Sequence, residues 1–348
     1  MLLVIFGAGA TYDAVNPRNL DEIPELRPPQ PPLASELFAV RPSFGQFIDR
    51  YGPLRAIIDR MRDAAVGGTT SIEHEFESIV SEAADNLTVR RQLAGARFYL
   101  HDGIEDSTLT YARAANGVTN YHVLVDRINA ALASRPDSVT YVTFNYDRLL
   151  EQAIKDTLRR PFRVLEDYVR NDRPAVIKLH GSVGWTQVCL GLRTKVDRTD
   201  QVSFEWLMDR IDDIRLSVDE YRLRPWDQVD PGEEVGFPAI TVPTERKTAN
   251  NFTLPPAHLA VLRQRIPQVL QVLVVGWRGH EEHFWELWDS CHPPRDMRVV
   301  VVDKDEASAI EVSRHLLAVN LSAHIEPVPV AGFTSYIAAG GLPGLVLG

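Results

Sequence analysis

Five short stretches of the chain are apolar at nearly every position and then stop abruptly. Leu2-Leu3-Val4-Ile5-Phe6 ends at Gly7. Val139–Phe144, β-branched and aromatic, ends at Asn145. Ala175–Leu179 ends at His180-Gly181, Val272–Val275 at Gly276, and Arg298–Val302 at Asp303. Unalternating apolar runs of this length predict strands covered on both faces, as in a parallel sheet between layers of helices. Helical patterns follow three of them, over Asp147–Leu158, His280–Trp288 and Glu306–Leu317. Strands alternating with helices predict an α/β fold, a doubly wound and mainly parallel sheet.

Two stretches interrupt this alternation. From Ser35 to Arg135 the apolar positions take a helical period. Ile72, Phe76, Ile79, Val80 and Ala83 fall on one helix face behind a capping box of Thr70 and Glu73, and Val123, Ile128 and Leu132 mark a second helix. This predicts an inserted helical module over 35–134, within a discontinuous domain made of 1–34 and 135–348. Gly184–Pro267 has weak periodicity, many charges and several prolines, and reads as a second insertion over 184–267. The Pro-rich Ile23–Leu33 can be neither helix nor central strand.

Length and charge narrow the picture. A chain of 348 residues suits one large domain with insertions, or two domains. A formal net charge of −10 argues against direct nucleic-acid binding. Cys189 and Cys291, the two cysteines, can build neither a disulfide framework nor a four-cysteine zinc site, which fits a reducing cytoplasm. The opening run lacks a charged n-region and is short for a secretory signal, and no stretch approaches a membrane span.

Ligands of such sheets bind outside the carboxyl ends of the strands. The residues there are Gly7-Ala8-Gly9-Ala10-Thr11, Asn145-Tyr146-Asp147, His180-Gly181-Ser182, Gly276-Trp277-Arg278 and Asp303. Glycines let backbone amides approach a pyrophosphate. Tyr12, however, stands where a dehydrogenase fingerprint wants its third glycine, and Asp21 and Glu22 lie in the Pro-rich loop, not at a strand end. Hydride transfer is therefore disfavoured. Singly, His180 reads as a core histidine and Asn145 and Asp147 as helix caps. Their joint placement at neighbouring strand ends points to a site. His280 and His283, with Glu281 and Glu282, have ligand-like spacing, but no catalytic metal motif matches and the stretch reads as a helix start.

With these motifs ("GAGAT", "TFNYDRLLE", "KLHGS", "VVGW" and "VVDKDE") the chain resembles the sirtuin-like family of NAD-consuming proteins. The resemblance implies a sirtuin-like Rossmann variant and NAD as the substrate. It implies that Gly7, Ala8, Gly9 and Ala10, with Thr11 nearby, hold the pyrophosphate, and that Gly276, Trp277 and Asp303 lie toward the adenosine half, with Ser182 also lining the site. His180 would be the general base, Asn145 would order water and ribose hydroxyls, and Asp147 would face the nicotinamide. The zinc cysteines of deacetylating members are missing, and Phe144 replaces the glutamine of their central motif. These departures resemble the bacterial antiphage-defence branch, which implies NAD hydrolysis without a metal, controlled by a homo-oligomer or a companion ATPase, nuclease or Argonaute-like protein. The alternatives are a non-hydrolytic NAD- or ADP-ribose-binding regulatory module, and a deacylase or ADP-ribosyltransferase.

Overall fold

A computed structural model describes residues 1–20, 27–33, 36–39, 42–67, 72–133, 138–171, 174–194, 202–242, 252–322 and 324–340. The strands are β1 (Leu2–Phe6), β2 (Val139–Thr143), β3 (Ala175–Lys178), β4 (Gly181–Arg193), β5 (Leu216–Arg222), β6 (Glu234–Ile240), β7 (Gln271–Val275), β8 (Arg298–Val302) and β9 (His324–Pro327). The helices are α1 (Ala8–Tyr12), α2 (Pro42–Arg50), α3 (Arg55–Gly67), α4 (Ile72–Ala83), α5 (Leu87–Ala114), α6 (Asn120–Leu132), α7 (Leu149–Leu158), α8 (Phe204–Met208), α9 (Pro256–Arg265), α10 (Glu282–Ser290), α11 (Glu306–Ala318) and α12 (Gly332–Ala338).

The main sheet has six parallel strands in the order β3-β2-β1-β7-β8-β9. Every residue of β1 and β2 is buried, which is why these strands read as unbroken apolar runs. Strand order reverses between β1 and β7, and the ends of these two strands form the switch point where such sheets bind ligands. The sixth strand, β9, gave no sequence signal. It is a half-exposed edge of four residues, two of them charged or polar and one a proline.

At the switch point the two backbones touch. Gly9 N donates to Gly276 O at 3.1 Å, and Gly7 N donates to Val275 O at 3.1 Å. Gly276 has φ +59°, and a Cβ there would stand 2.4 Å from Ala10 N. A side chain at this position would push β7 away from the first turn of α1.

The chain leaves the main sheet at His180. Lys178 closes β3, and Gly181, at φ +84°, turns it into β4 of a three-stranded antiparallel sheet ordered β5-β4-β6. A Cβ on Gly181 would lie 1.9 Å from Ala239 O. This sheet falls in the stretch that reads as featureless in sequence, because its register shifts twice between β4 and β6 and once between β4 and β5, and its edge strand faces solvent.

The two interruptions of the alternating pattern meet in one second core. The Phe98 ring of α5 stands 5.2 Å from Phe204, 4.7 Å from Trp226 and 5.0 Å from Phe237. Helix α6 instead packs on the main sheet through Tyr121, Leu124, Val125 and Ile128. On α4, Phe76, Ile79 and Ala83 are buried as their spacing predicts, but Val80 is 42% exposed. Thr70 lies outside the described residues, as do the side chains of Ile72 and Glu73 and the residues Asp21 and Glu22.

His258, at the start of α9, is buried between Tyr168 and Trp185 and donates Nε2–H to Leu165 O at 2.9 Å. Burial pushes its ring down to about 4.

Two outcomes follow from this architecture. Gly276→Ala lowers the free energy of unfolding by about 2 kcal/mol or more, read as a drop in denaturant midpoint, through left-handed strain and backbone overlap. As pH falls from the ordinary histidine range toward the depressed value, the unfolded chain takes up a proton that folded His258 refuses. Stability contributed by this site is present above pH ~6.5 and is lost, by about 3 kcal/mol, on the way to pH ~4. Denaturant titrations of the native chain and His258→Gln at several pH values check this, the variant lacking that share of the acid-induced loss.

Candidate active site

Strand β2 carries the sequence beyond its own end. Phe144 N donates to Phe6 O at 3.0 Å, which extends the β1–β2 ladder and delivers Asn145 over the end of β1. Asn145 is buried. Its Nδ2 donates to Gly7 O at 2.8 Å and to Thr11 Oγ1 at 2.9 Å. The Gly7 carbonyl can only accept, so the amide orientation is determined. Both strong Nδ2 hydrogens are consumed inward. Asn145 Oδ1 has no partner among the described residues and is the acceptor left for a ligand.

Thr11 is the hub of this cluster. Its Oγ1 receives Asn145, donates to Asp147 Oδ2 at 2.6 Å and lies 3.1 Å from Tyr121 OH. With the Thr11 proton committed to the carboxylate, Tyr121 is the donor in that last contact. Burial, and then the charge on Asp147, push the Tyr121 phenol well above its ordinary range, which keeps it protonated. The second oxygen of Asp147 accepts Leu149 N at 2.9 Å, a side-chain turn just ahead of α7, whose N-cap position is held by Arg148. Asp147 is therefore a strut between Thr11 and the start of α7, with each carboxylate oxygen engaged.

Beneath the loop lies a buried ion pair. Lys178 Nζ stands 3.1 Å from Glu151 Oε1, and the two side chains are 1% and 7% exposed. Lys178 Nζ also donates to the main-chain carbonyl of Asp147, and Tyr168 OH donates to Glu151 Oε1 at 3.2 Å. Sequence reasoning assigned Lys178 no role. The usable signal was a lysine on a strand buried on both faces, which requires a carboxylate, and Glu151 on the first turn of α7 is that carboxylate.

His180 is buried one strand further on. Its ring meets Phe144 edge-on at 5.2 Å, lies near-parallel to His283 at 5.6 Å and stands 6.3 Å from Tyr146. Phe144 stacks on Trp277 at 4.8 Å, so aromatic rings link His180 to the end of β7. Trp277 Nε1 donates to Glu281 Oε2 at 2.6 Å. His283 thus belongs beside His180, whereas His280 packs against His315 at 4.7 Å. Among the described residues, no group of three or more His, Cys, Asp or Glu side chains could hold a metal ion.

The structure thus brings Gly7, Thr11, Asn145 and Asp147 into one hydrogen-bonded cluster, with Gly9 and Gly276 against it. His180 and Trp277 lie on either side of Phe144. Ala8 is exposed at the first turn of α1, and Ala10 is buried beneath it. Ser182 is buried and its Oγ receives Gly184 N at 3.3 Å, a turn-forming contact. Asp303 stands apart at the end of β8, half-buried, where its Oδ1 receives Lys304 N at 2.6 Å. The Gly7 and Gly9 amides are engaged by the end of β7, so the close approach these glycines permit is to Gly276.

A family model described as the SIR2-like domain matches residues 139–318, more than half of the chain. The match runs from β2 through α11, so it contains Asn145, Asp147, His180, Gly276 and Asp303. No curated protein matches the chain significantly.

Lys178→Met, which strands Glu151 without its cation, lowers stability by about 3–5 kcal/mol. Lys178→Met combined with Glu151→Leu recovers much of that loss, because no buried charge then remains unpaired. Denaturant titration of the two singles and the double measures the coupling.

Proposed function

The chain belongs to the SIR2-like family, which uses NAD, and from that premise we propose that it hydrolyses NAD to nicotinamide and ADP-ribose. The observation that carries this reading is the inward locking of Asn145 Nδ2. It leaves Asn145 Oδ1 as an unspent acceptor just past the end of β2, and His180 follows the end of β3, the parallel strand paired with β2.

The chemistry asks for little else. The nicotinamide of NAD is a cationic leaving group, and its bond to ribose C1′ breaks with the electron pair moving onto the ring nitrogen. A water oxygen bonds to C1′ and its proton passes to His180, a base suited to neutral pH. Asn145 Oδ1 accepts from that water or from a ribose hydroxyl and holds it in line. Asp147, with both oxygens already engaged, acts as a positioning residue through Thr11 and α7. The rings of Phe144, Trp277 and His283 keep bulk water from the developing positive charge. Gly7, Ala8, Gly9 and Ala10, with Gly276 and Asp303, border the diphosphate and adenosine of the substrate, and Ser182 supports the His180 turn.

Unregulated NAD hydrolysis would empty the cell of its dinucleotide. The activity is therefore proposed to be held in check by self-assembly or by a companion protein, in a defence setting.

Incubation with NAD, alone and with products of neighbouring genes, tests the reading by nicotinamide release. His180→Ala and Asn145→Ala are each expected to slow release by about 100-fold or more. Tight NAD binding with no product under every assembly condition would sink the hydrolase reading in favour of a nucleotide-binding regulatory module.

A further inference from the structure

The groups that would handle the nucleophile are almost closed off. His180 is 5% exposed and Asn145 is 8% exposed. What closes around the imidazole is aromatic. The Phe144 ring meets the His180 ring edge-on at 5.2 Å. His283 lies near-parallel to it at 5.6 Å and is itself backed by Phe252 at 4.7 Å.

The Phe144 side of this enclosure is a braced wall. The Phe144 N–H is spent on Phe6 O at 3.0 Å, which fixes the root of the ring. The ring stacks on Trp277 at 4.8 Å with an interplanar angle of 9°. Phe284 meets both rings edge-on, at 5.6 Å from Phe144 and 5.3 Å from Trp277. Trp277 is held in turn. Its Nε1 donates to Glu281 Oε2 at 2.6 Å, and its own Cβ sits so close over Gly7 that a Cβ there would stand 2.8 Å away. Phe144, Trp277 and Phe284 are all buried. Rings packed this way do not give ground cheaply, because added volume forces side chains off their rotamers.

We propose that this wall selects the nucleophile. The space beside His180 takes water and refuses an alcohol or an amine, so the Phe144–Trp277 stack makes the reaction a hydrolysis and not a transfer. The inference rests on the NAD-cleaving reading. For water or an alcohol the bond from C1′ to the nicotinamide nitrogen breaks with its electron pair leaving on nitrogen. The oxygen of the nucleophile bonds to C1′, and its proton passes to His180. Water yields ADP-ribose and methanol yields methyl ADP-ribose. The two routes share every bond change, so discrimination falls to the shape of the site.

Competition between water and alcohols tests the wall. NAD is turned over in water mixed with methanol, ethanol or propan-1-ol, and mass spectrometry gives the ratio of alkyl ADP-ribose to ADP-ribose. This ratio does not depend on turnover rate, so a variant that is only damaged leaves it unmoved. In the unmodified chain it should fall about tenfold or more below the alcohol-to-water mole ratio with methanol, and further with each added methylene. Phe144→Leu should raise it about tenfold, and Phe144→Ala more. A second readout needs no turnover: acylation of His180 by diethyl pyrocarbonate should be about tenfold faster in Phe144→Leu than in the unmodified chain. A product ratio that follows the mole ratio whatever the alcohol, a ratio that neither substitution moves, or equal acylation rates would each overturn the proposal and leave NAD hydrolysis standing. Absence of nicotinamide release from the unmodified chain in every mixture would instead remove the hydrolase reading, and this selectivity with it.

Discussion

The architecture of the candidate site hangs on one buried amide. Asn145 Nδ2 spends its two hydrogens on the Gly7 carbonyl and the Thr11 hydroxyl, and in doing so joins the end of β2 to the first turn of α1. Thr11 hands the link to Asp147, which holds the first residue of α7, and Tyr121 joins it from α6. Four elements thus share one small polar cluster inside an apolar core. Such a cluster rigidifies only when every member is satisfied. Here the geometry spends every donor of the amide and leaves one acceptor outward.

The second constraint is the ion pair below it. Lys178 and Glu151 bring charge into a core that is otherwise largely apolar, at a desolvation cost that mutual attraction alone rarely repays. Lys178 also donates to the Asp147 carbonyl, so the pair sets the height of the Asn-Tyr-Asp loop above the sheet. One residue past that lysine and its neighbour Leu179, the chain presents His180 and turns at Gly181 into the second sheet. His180 is thereby fixed where two sheets diverge, with Phe144 and His283 against its ring.

Sequence patterning located five of the six strands of the main sheet to within a residue at each end, because each is buried on both faces and its apolar run has no competing period. It located Asn145, Asp147 and His180 as strand-end residues for the same reason. It missed β9, whose half-exposed edge leaves no apolar run, and the antiparallel sheet, whose register shifts scramble alternation. It assigned Val80 to a buried helix face, where the structure leaves it exposed, since it stands at the margin of the stripe formed by Phe76, Ile79 and Ala83.

The sequence by itself determined the parallel sheet, the strand-end positions of the candidate residues and the family resemblance, since these depend on local runs and on motifs a few residues long. Only the tertiary structure decided what those residues do to one another. It turned the Asn145 amide inward and engaged both oxygens of Asp147. It seated Lys178 on Glu151 and His283 on His180, and closed the glycine loop against Gly276. It also merged two stretches far apart in the chain into one core around Phe98. Those outcomes rest on hydrogen-bond geometry and packing between residues tens to hundreds of positions apart, and no local period or composition encodes such distances.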